Sequence, residues 1–229
     1  MTDAPLFIKE LDDVIRRHSM LDHPFYQTWT MGRLSREALK DYAKQYYHFV
    51  QAFPTFLSAA HSNTPDLSVR QELLENLIEE ERGKGNHPGL WLKFTESLGV
   101  QAADAAATPM LPETREAIGA FRTVTREGTY LEGIAALYAY ESQIPEVARV
   151  KIEGLRKFYG ITTKEGLEFF TVHQEADVAH SAGEKSILLR HATGAADREQ
   201  CLAAATTSAQ AMLRLLDGVY ESSVRPSLH

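Results

Sequence analysis

His173, Asp177 and His180 are three side chains able to ligate a metal, set at i, i+4 and i+7 in His173-Gln174-Glu175-Ala176-Asp177-Val178-Ala179-His180. On an α-helix, at about 100° per residue, they fall within an arc of roughly 60°. Two imidazoles and a carboxylate on one helical stripe suit a transition metal far better than an apolar core, where each is costly unless partnered. Glu175 points away from the stripe and is expected in solvent. Glu184 returns to it about three turns beyond His173 and is expected too far along to share the same ions.

Two other segments offer partners. In Glu79-Glu80-Glu81-Arg82-Gly83-Lys84-Gly85-Asn86-His87, Glu80 and His87 would lie on one helical face, two turns apart. The two glycines permit a distortion that brings His87 closer. Glu141 follows Leu137-Tyr138-Ala139-Tyr140 and precedes Pro145. An acid in such apolar surroundings is costly to bury unless paired or coordinated. Together these residues are three carboxylates and three imidazoles, enough for two divalent ions. Their charge leaves one positive charge for a bridging hydroxide or an incoming anion. Nitrogen and oxygen donors without a thiolate favour iron or manganese over structural zinc. Taken singly, each residue has a plainer reading. A lone histidine is more often hydrogen-bonded than ligating, and a glutamate run beside Arg82 and Lys84 is usually a solvated face. Their joint occurrence carries the metal reading.

The elements that must position them are helical. A first helix is expected from Pro5 to His18, then an irregular connection over 19–34. Ser35 reads as an N-cap of a helix whose Leu39, Tyr42, Tyr46, Phe49, Phe53 and Phe56 form an aromatic stripe, with a kink at Pro54. Asp66 opens a helix burying Leu73, Leu74, Leu77 and Ile78, which breaks near Gly83, Gly85 and Pro88. A short helix follows from His87 to Leu98, and the alanine-rich residues 99–108 read as a loop. Further helices are expected over Pro112–Glu127, Thr129–Tyr140 and Glu146–Tyr159. Thr163 caps a long one through Arg190, and Asp197 caps the last, which ends near Pro226. No run alternates with period two for long enough to argue a strand. The expected fold is an all-α bundle of seven or eight helices, one domain over residues 1–229.

The 229 residues fit one domain, and 44% hydrophobic with 24% charged residues is ordinary for a globular protein. A net charge of −7 gives nucleic-acid binding no electrostatic support. No uninterrupted apolar run is long enough to span a membrane. Cys201 is the one cysteine, so no internal disulfide can form, and a reducing cytoplasm is the expected location. The first residues lack the pattern of a signal peptide.

Asn76-Leu77-Ile78-Glu79-Glu80-Glu81, Asn86-His87-Pro88, Tyr140-Glu141 and His173-x3-Asp177-x2-His180 together resemble the haem-oxygenase-like dimetal oxygenases, within the wider TenA/PqqC-like group. The closest likeness is to the branch of self-sacrificing para-aminobenzoate synthases. The resemblance runs from His23-Pro24-Phe25-Tyr26 to the last helix. It implies an all-α, usually homodimeric fold and a dimetal centre, Fe/Fe or Mn/Fe, that activates dioxygen with an external reductant. In that branch a tyrosine of the chain is excised to furnish the aromatic ring, a lysine is the amino donor, and the protein is spent after one turnover. The matching positions are Tyr26 for the ring, Tyr42 as a second redox-active tyrosine and Lys151 for the amine. Tyr140, beside Glu141, could relay an electron or substitute for one of the others. Their plain readings are loop packing for Tyr26, core for Tyr42 and a surface ion pair for Lys151.

Rival readings remain. A dimetal oxygenase could act on an external fatty acid or amino acid, which needs an open pocket. A thiaminase-like enzyme would need an activated cysteine, but Cys201 among small apolar residues reads as packing. The oxidase branch that completes pyrroloquinoline quinone lacks such a ligand set. The branch is also named for binding death domains, and a non-enzymatic interaction module is the remaining alternative. Nothing in the sequence displays a death-domain-binding surface.

Overall fold

The computed structural model describes residues 3–228. Its helices are α1 (Asp3–Arg17), α2 (Pro24–Thr30), α3 (Arg36–Asn63), α4 (Leu67–Glu81), α5 (His87–Ser97) and α6 (Ala102–Ala107), then α7 (Pro112–Glu127), α8 (Tyr130–Glu141), α9 (Ile144–Phe158), α10 (Lys164–His191) and α11 (Ala195–Val219). Among the described residues there is no strand, and the all-α expectation holds. No helix among them is long and apolar enough to cross a membrane.

The local chemistry explains most of the boundaries. Ser35, Asp66 and Thr163 each cap a helix as expected, their side-chain oxygens accepting the N–H of Ala38 (3.1 Å), Ser68 (2.7 Å) and Gly166 (3.2 Å). Thr129 and Glu132 form a reciprocal capping box at the start of α8. From Leu131 to Glu141 only Glu132 is not buried, which fits a helix that is apolar on every side and central to the bundle. It packs against α11, α10, α3 and α7. α3 runs unbroken through Pro54, although the proline removes the N–H that would bond the Val50 carbonyl. Its whole aromatic stripe is buried.

Several expectations need correction. Eleven helices are present among the described residues where seven or eight were expected, and two of them, α2 and α6, are short and occupy stretches read as irregular. α2 contains few strong helix formers. It is held by Pro24 in its first turn and by His23, whose Nδ1 accepts the Phe25 N–H at 3.1 Å. α6 has alanine propensity without an apolar period, so no stripe announced it. Leu74 is exposed and Leu77 and Ile78 are only partly covered. The buried face of α4 is Val69, Leu73, Asn76 and Glu80, apolar at one end and polar at the other. Asp197 does not cap α11. Gly194 occupies that position, and the Asp197 carboxylate, three residues on, accepts its N–H at 3.1 Å. After Val219 the chain continues as a π-helical turn over Tyr220–Val224 and a 3-10 turn over Arg225–Leu228.

Candidate active site

Four helices bring the six candidate ligands together. Glu80 sits in the last turn of α4, His87 in the first turn of α5, Glu141 at the end of α8, and His173, Asp177 and His180 along α10. The connection from α4 to α5 turns at Gly83, whose φ of +71° is open to glycine at little cost. Asn86 then caps α5 by accepting the Gly89 N–H at 2.8 Å. This turn replaces the continuous helix that would have kept Glu80 and His87 two turns apart. The His87 Nδ1 lies 2.8 Å from a Glu80 oxygen.

The six divide into two groups of three, Glu80 with His87 and His173, and Glu141 with Asp177 and His180. Within each group the donor atoms all lie within 4.8 Å of one another, so either could hold a metal ion. His180 Nδ1 lies 3.5 Å from Asp177 and 3.6 Å from Glu141. The His87 and His173 rings lie 4.2 Å apart, centroid to centroid. His173 donates through Nδ1 to the Phe169 carbonyl at 2.6 Å, which leaves Nε2 free for an ion. Asn76 donates to Glu141 at 2.9 Å and orients it.

These groups fit a metal better than they fit one another. His87 Nδ1, His180 Nδ1, one oxygen of Glu141 and both oxygens of Asp177 are buried without a well-formed hydrogen bond. The close Glu80–His87 and His180–Asp177 approaches are off-axis, as expected where lone pairs aim at a common point rather than at each other. Burial pushes the Glu80 carboxyl up and the Asp177 carboxyl up to about 7. Burial also drives His173 well below its ordinary value, aided by His87. It opposes the charge on His87 and His180 too. Glu80 nevertheless raises His87, and the facing carboxylates of Asp177 and Glu141 carry His180 up to about 10. Burial holds Glu80 and Asp177 toward the neutral form even with an imidazole beside each, a cost that a bound cation would relieve.

Sequence reasoning misplaced Glu184. It is only 3% exposed and lies against Glu141 and Asp177. Measured from His173 it is remote, but it follows His180 by one turn, and that spacing was the signal available. Burial and the adjacent Glu141 raise its carboxyl well above the usual range. Burial works to raise Glu141 as well, yet the adjacent Glu184 and His180 and the Asn76 amide outweigh it and hold Glu141 below its usual value.

The tyrosines and the lysine converge on the same interior. Lys151, on α9, is 2% exposed rather than at the surface, which corrects its plain reading. Its Nζ sits in an aromatic cage, 4.6 Å from the Tyr46 ring centroid, 5.2 Å from Tyr42, 5.3 Å from Phe170, 5.5 Å from Trp91 and 5.7 Å from Tyr26. Burial alone lowers its ammonium to about 7. Gly154, one turn further along α9, has no side chain to collide with the Trp29 indole, so α2 can close over the cage. Tyr26 and Tyr42 are fully buried, their hydroxyls 3.5 Å apart. The Tyr42 and Tyr46 rings lie 5.3 Å apart. Tyr46 and Tyr140 share a hydroxyl contact of 3.0 Å. Tyr140 in turn lines a gap of about 10 Å³ with Glu80, Glu141, His173 and Asp177. Burial raises all four phenols, so they stay protonated. Tyr46 is the link that sequence reasoning counted only as core. Cys201 is buried and its thiol is pushed up to about 12, which leaves it inert as a nucleophile.

Residues 40–213 match the family described as iron-containing redox enzyme, of the haem-oxygenase group. The 4-aminobenzoate synthase of Nitrosomonas europaea is 43% identical over 94% of this chain and 92% of its own. That of Chlamydia muridarum is 39% identical over 94% of this chain and 90% of its own. Among solved structures, a CADD-like protein of unknown function from Nostoc punctiforme superposes with a TM-score of 0.81 at 18% identity, covering 98% of this chain and all of the other, a likeness of fold. The helical scaffold, the paired ligand groups and these matches agree: this chain belongs to the haem-oxygenase-like family of iron-containing redox enzymes.

Proposed function

We propose that this enzyme makes para-aminobenzoate from its own residues, Tyr26 supplying the ring and Lys151 the nitrogen, once per chain. The product is the one that its relatives' names carry. The observation that carries the self-sacrificing reading is the Lys151 amine, buried among tyrosines and joined by hydroxyl and ring contacts to the two ligand groups.

In this reading Glu80, His87 and His173 hold one ion, and Glu141, Asp177 and His180 hold the other. A bound Fe/Fe or Mn/Fe pair, fed by an external reductant, supplies dioxygen activation and oxidising power. The chain's residues do the rest. Tyr140 is the phenol nearest the ligands, and its hydroxyl meets that of Tyr46. An oxidised phenol must lose its proton, and a facing hydroxyl oxygen can accept it. The Tyr26–Tyr42 contact repeats this arrangement at the other end, and ring contact joins Tyr42 to Tyr46. Tyr140, Tyr46, Tyr42 and Tyr26 thus form a continuous route for an electron and its proton. Lys151 is about half neutral near pH 7, so its lone pair is available beside the rings. The gap beside the ligands has room for about one water, which favours an internal substrate over an external fatty acid or amino acid. A homodimer completes the proposal on the family likeness, and light scattering tests it.

The test is reduced, iron- or manganese-loaded protein exposed to dioxygen with no added aromatic compound. Para-aminobenzoate should be released and the intact mass should fall at a tyrosine. Tyr26→Phe should yield none. Undiminished product from that variant moves the sacrificed ring to Tyr42 or Tyr140. Product that requires an added substrate overturns self-sacrifice.

A further inference from the structure

Apart from the gap already described, a second cavity approaches the ligands from the surface. It is a cleft of about 330 Å³ between α4 and α10, walled by Leu73, Ala176, Ala179 and Ile187. At its rim stand Glu72, Glu75 and Glu79, and at its floor His180 and Glu184. Glu79 lies 3.2 Å from His180 Nε2, the nitrogen facing away from Asp177 and Glu141. Glu184 is 3% exposed, and neither of its oxygens meets an N–H or a cationic group.

We propose that this cleft is the route by which divalent metal reaches the centre, and that Glu184 is the transfer ligand that passes the ion to Glu141, Asp177 and His180. The inference rests on those residues being metal ligands. Three rim glutamates attract a cation and repel an anionic substrate, which assigns the cleft to metal rather than to an organic acid. One rim charge, Glu72, is engaged by Arg190 at 2.7 Å, whereas Glu184 has no cationic partner inside. An oxygen donor beside Glu141 gives an ion its first inner ligand before it gains the imidazole and the second carboxylate. The other approach is closed by Val50, Phe53, Phe169 and Tyr140 around room for a single water. None of Glu80, His87 and His173 lines the cleft, whereas His180 does, so ions bound for that group pass the His180 group first.

The test is uptake of cobalt(II), followed by its visible absorption, into the full-length metal-free chain, with release from the loaded chain to a chelator. Glu184→Gln keeps the shape and replaces the carboxylate donor with an amide, a far weaker metal ligand, and should slow uptake and release of both ions by about tenfold while two ions still bind at saturation. Ala179→Phe narrows the cleft without altering a donor and should slow both steps similarly. Wild-type kinetics in both variants overturns the route. Glu184→Gln that binds fewer than two ions with unslowed uptake makes Glu184 a resident ligand and overturns its transfer role. Wild-type protein that takes up no cobalt(II) refutes the two-metal reading itself.

Discussion

The ligand groups and the aromatic cage lie close together, both largely buried, and they handle polarity in opposite ways. The groups contributed by α4, α5, α8 and α10 crowd carboxylates and imidazoles, and atoms of His87, Glu141, Asp177 and His180 have no proper partners. The cage around Lys151 holds one amine against five rings. An unpartnered buried carboxylate is costly, and a cation relieves the cost. An unpartnered buried ammonium relieves its cost by losing a proton. One region is therefore incomplete without something from outside. The other is complete as it stands. The tyrosines lie between them, from Tyr140 beside the ligands to Tyr46 and Tyr42 against Lys151.

The largest effect should come from breaking the first region. His180→Ala removes the imidazole that Asp177 and Glu141 both face. Metal analysis should show loss of at least one of the two ions, and product should fall to background. Full two-metal occupancy in this variant contradicts the ligand assignment.

Breaking the second region should abolish product yet stabilise the fold. In Lys151→Met a side chain of similar length fills the cage without a charge to neutralise. Metal-free Lys151→Met should be more stable than wild type at pH 7 by about 2–4 kcal/mol in urea unfolding, since the amine falls from 10.5 to about 7 on folding. Below pH 7 the amine is protonated in both states and the deficit is constant. Above it the unfolded chain binds the extra proton, so wild-type stability rises with pH until about 10.5. Relative to Lys151→Met, wild type should regain about 2 kcal/mol between pH 7 and 9. His180, which is up to about 10, titrates in both proteins and cancels in the difference. Product formation should rise through pH 7 as the amine becomes neutral. A flat difference curve would mean that the amine is charged and solvated.

The first region was more legible in the sequence than the second. A metal site demands particular residue types, and helical periodicity put His173, Asp177 and His180 on one stripe before any contact was known. Glu184 escaped because it was measured from the wrong end of that stripe. The cage has no such signature. Its walls are ordinary core residues, and a lysine between Val150 and Ile152 reads equally well as a surface position. What buries Lys151 is the approach of α2, α3, α5 and α10, including a short α2 whose composition argued against a helix. That is tertiary packing, which local pattern does not encode.

The smallest effect falls on the link between the two regions. Tyr46 gives its hydroxyl to Tyr140 on one side and its ring to Tyr42 and Lys151 on the other. Tyr46→Phe keeps the ring, its stacking on Trp91 and the cage volume, and removes only the oxygen. If Tyr46 merely packs, product should form at the wild-type rate. If it passes an electron and a proton, Tyr140 loses the oxygen that accepts its proton. One hydrogen bond of about 1.4 kcal/mol in the barrier is about tenfold in rate. Rapid-quench measurement of para-aminobenzoate should therefore show about a tenfold slowing, with two ions still bound. A wild-type rate would remove Tyr46 from the route and leave the regions coupled by proximity alone. A slowed rate accompanied by metal loss would make the residue structural.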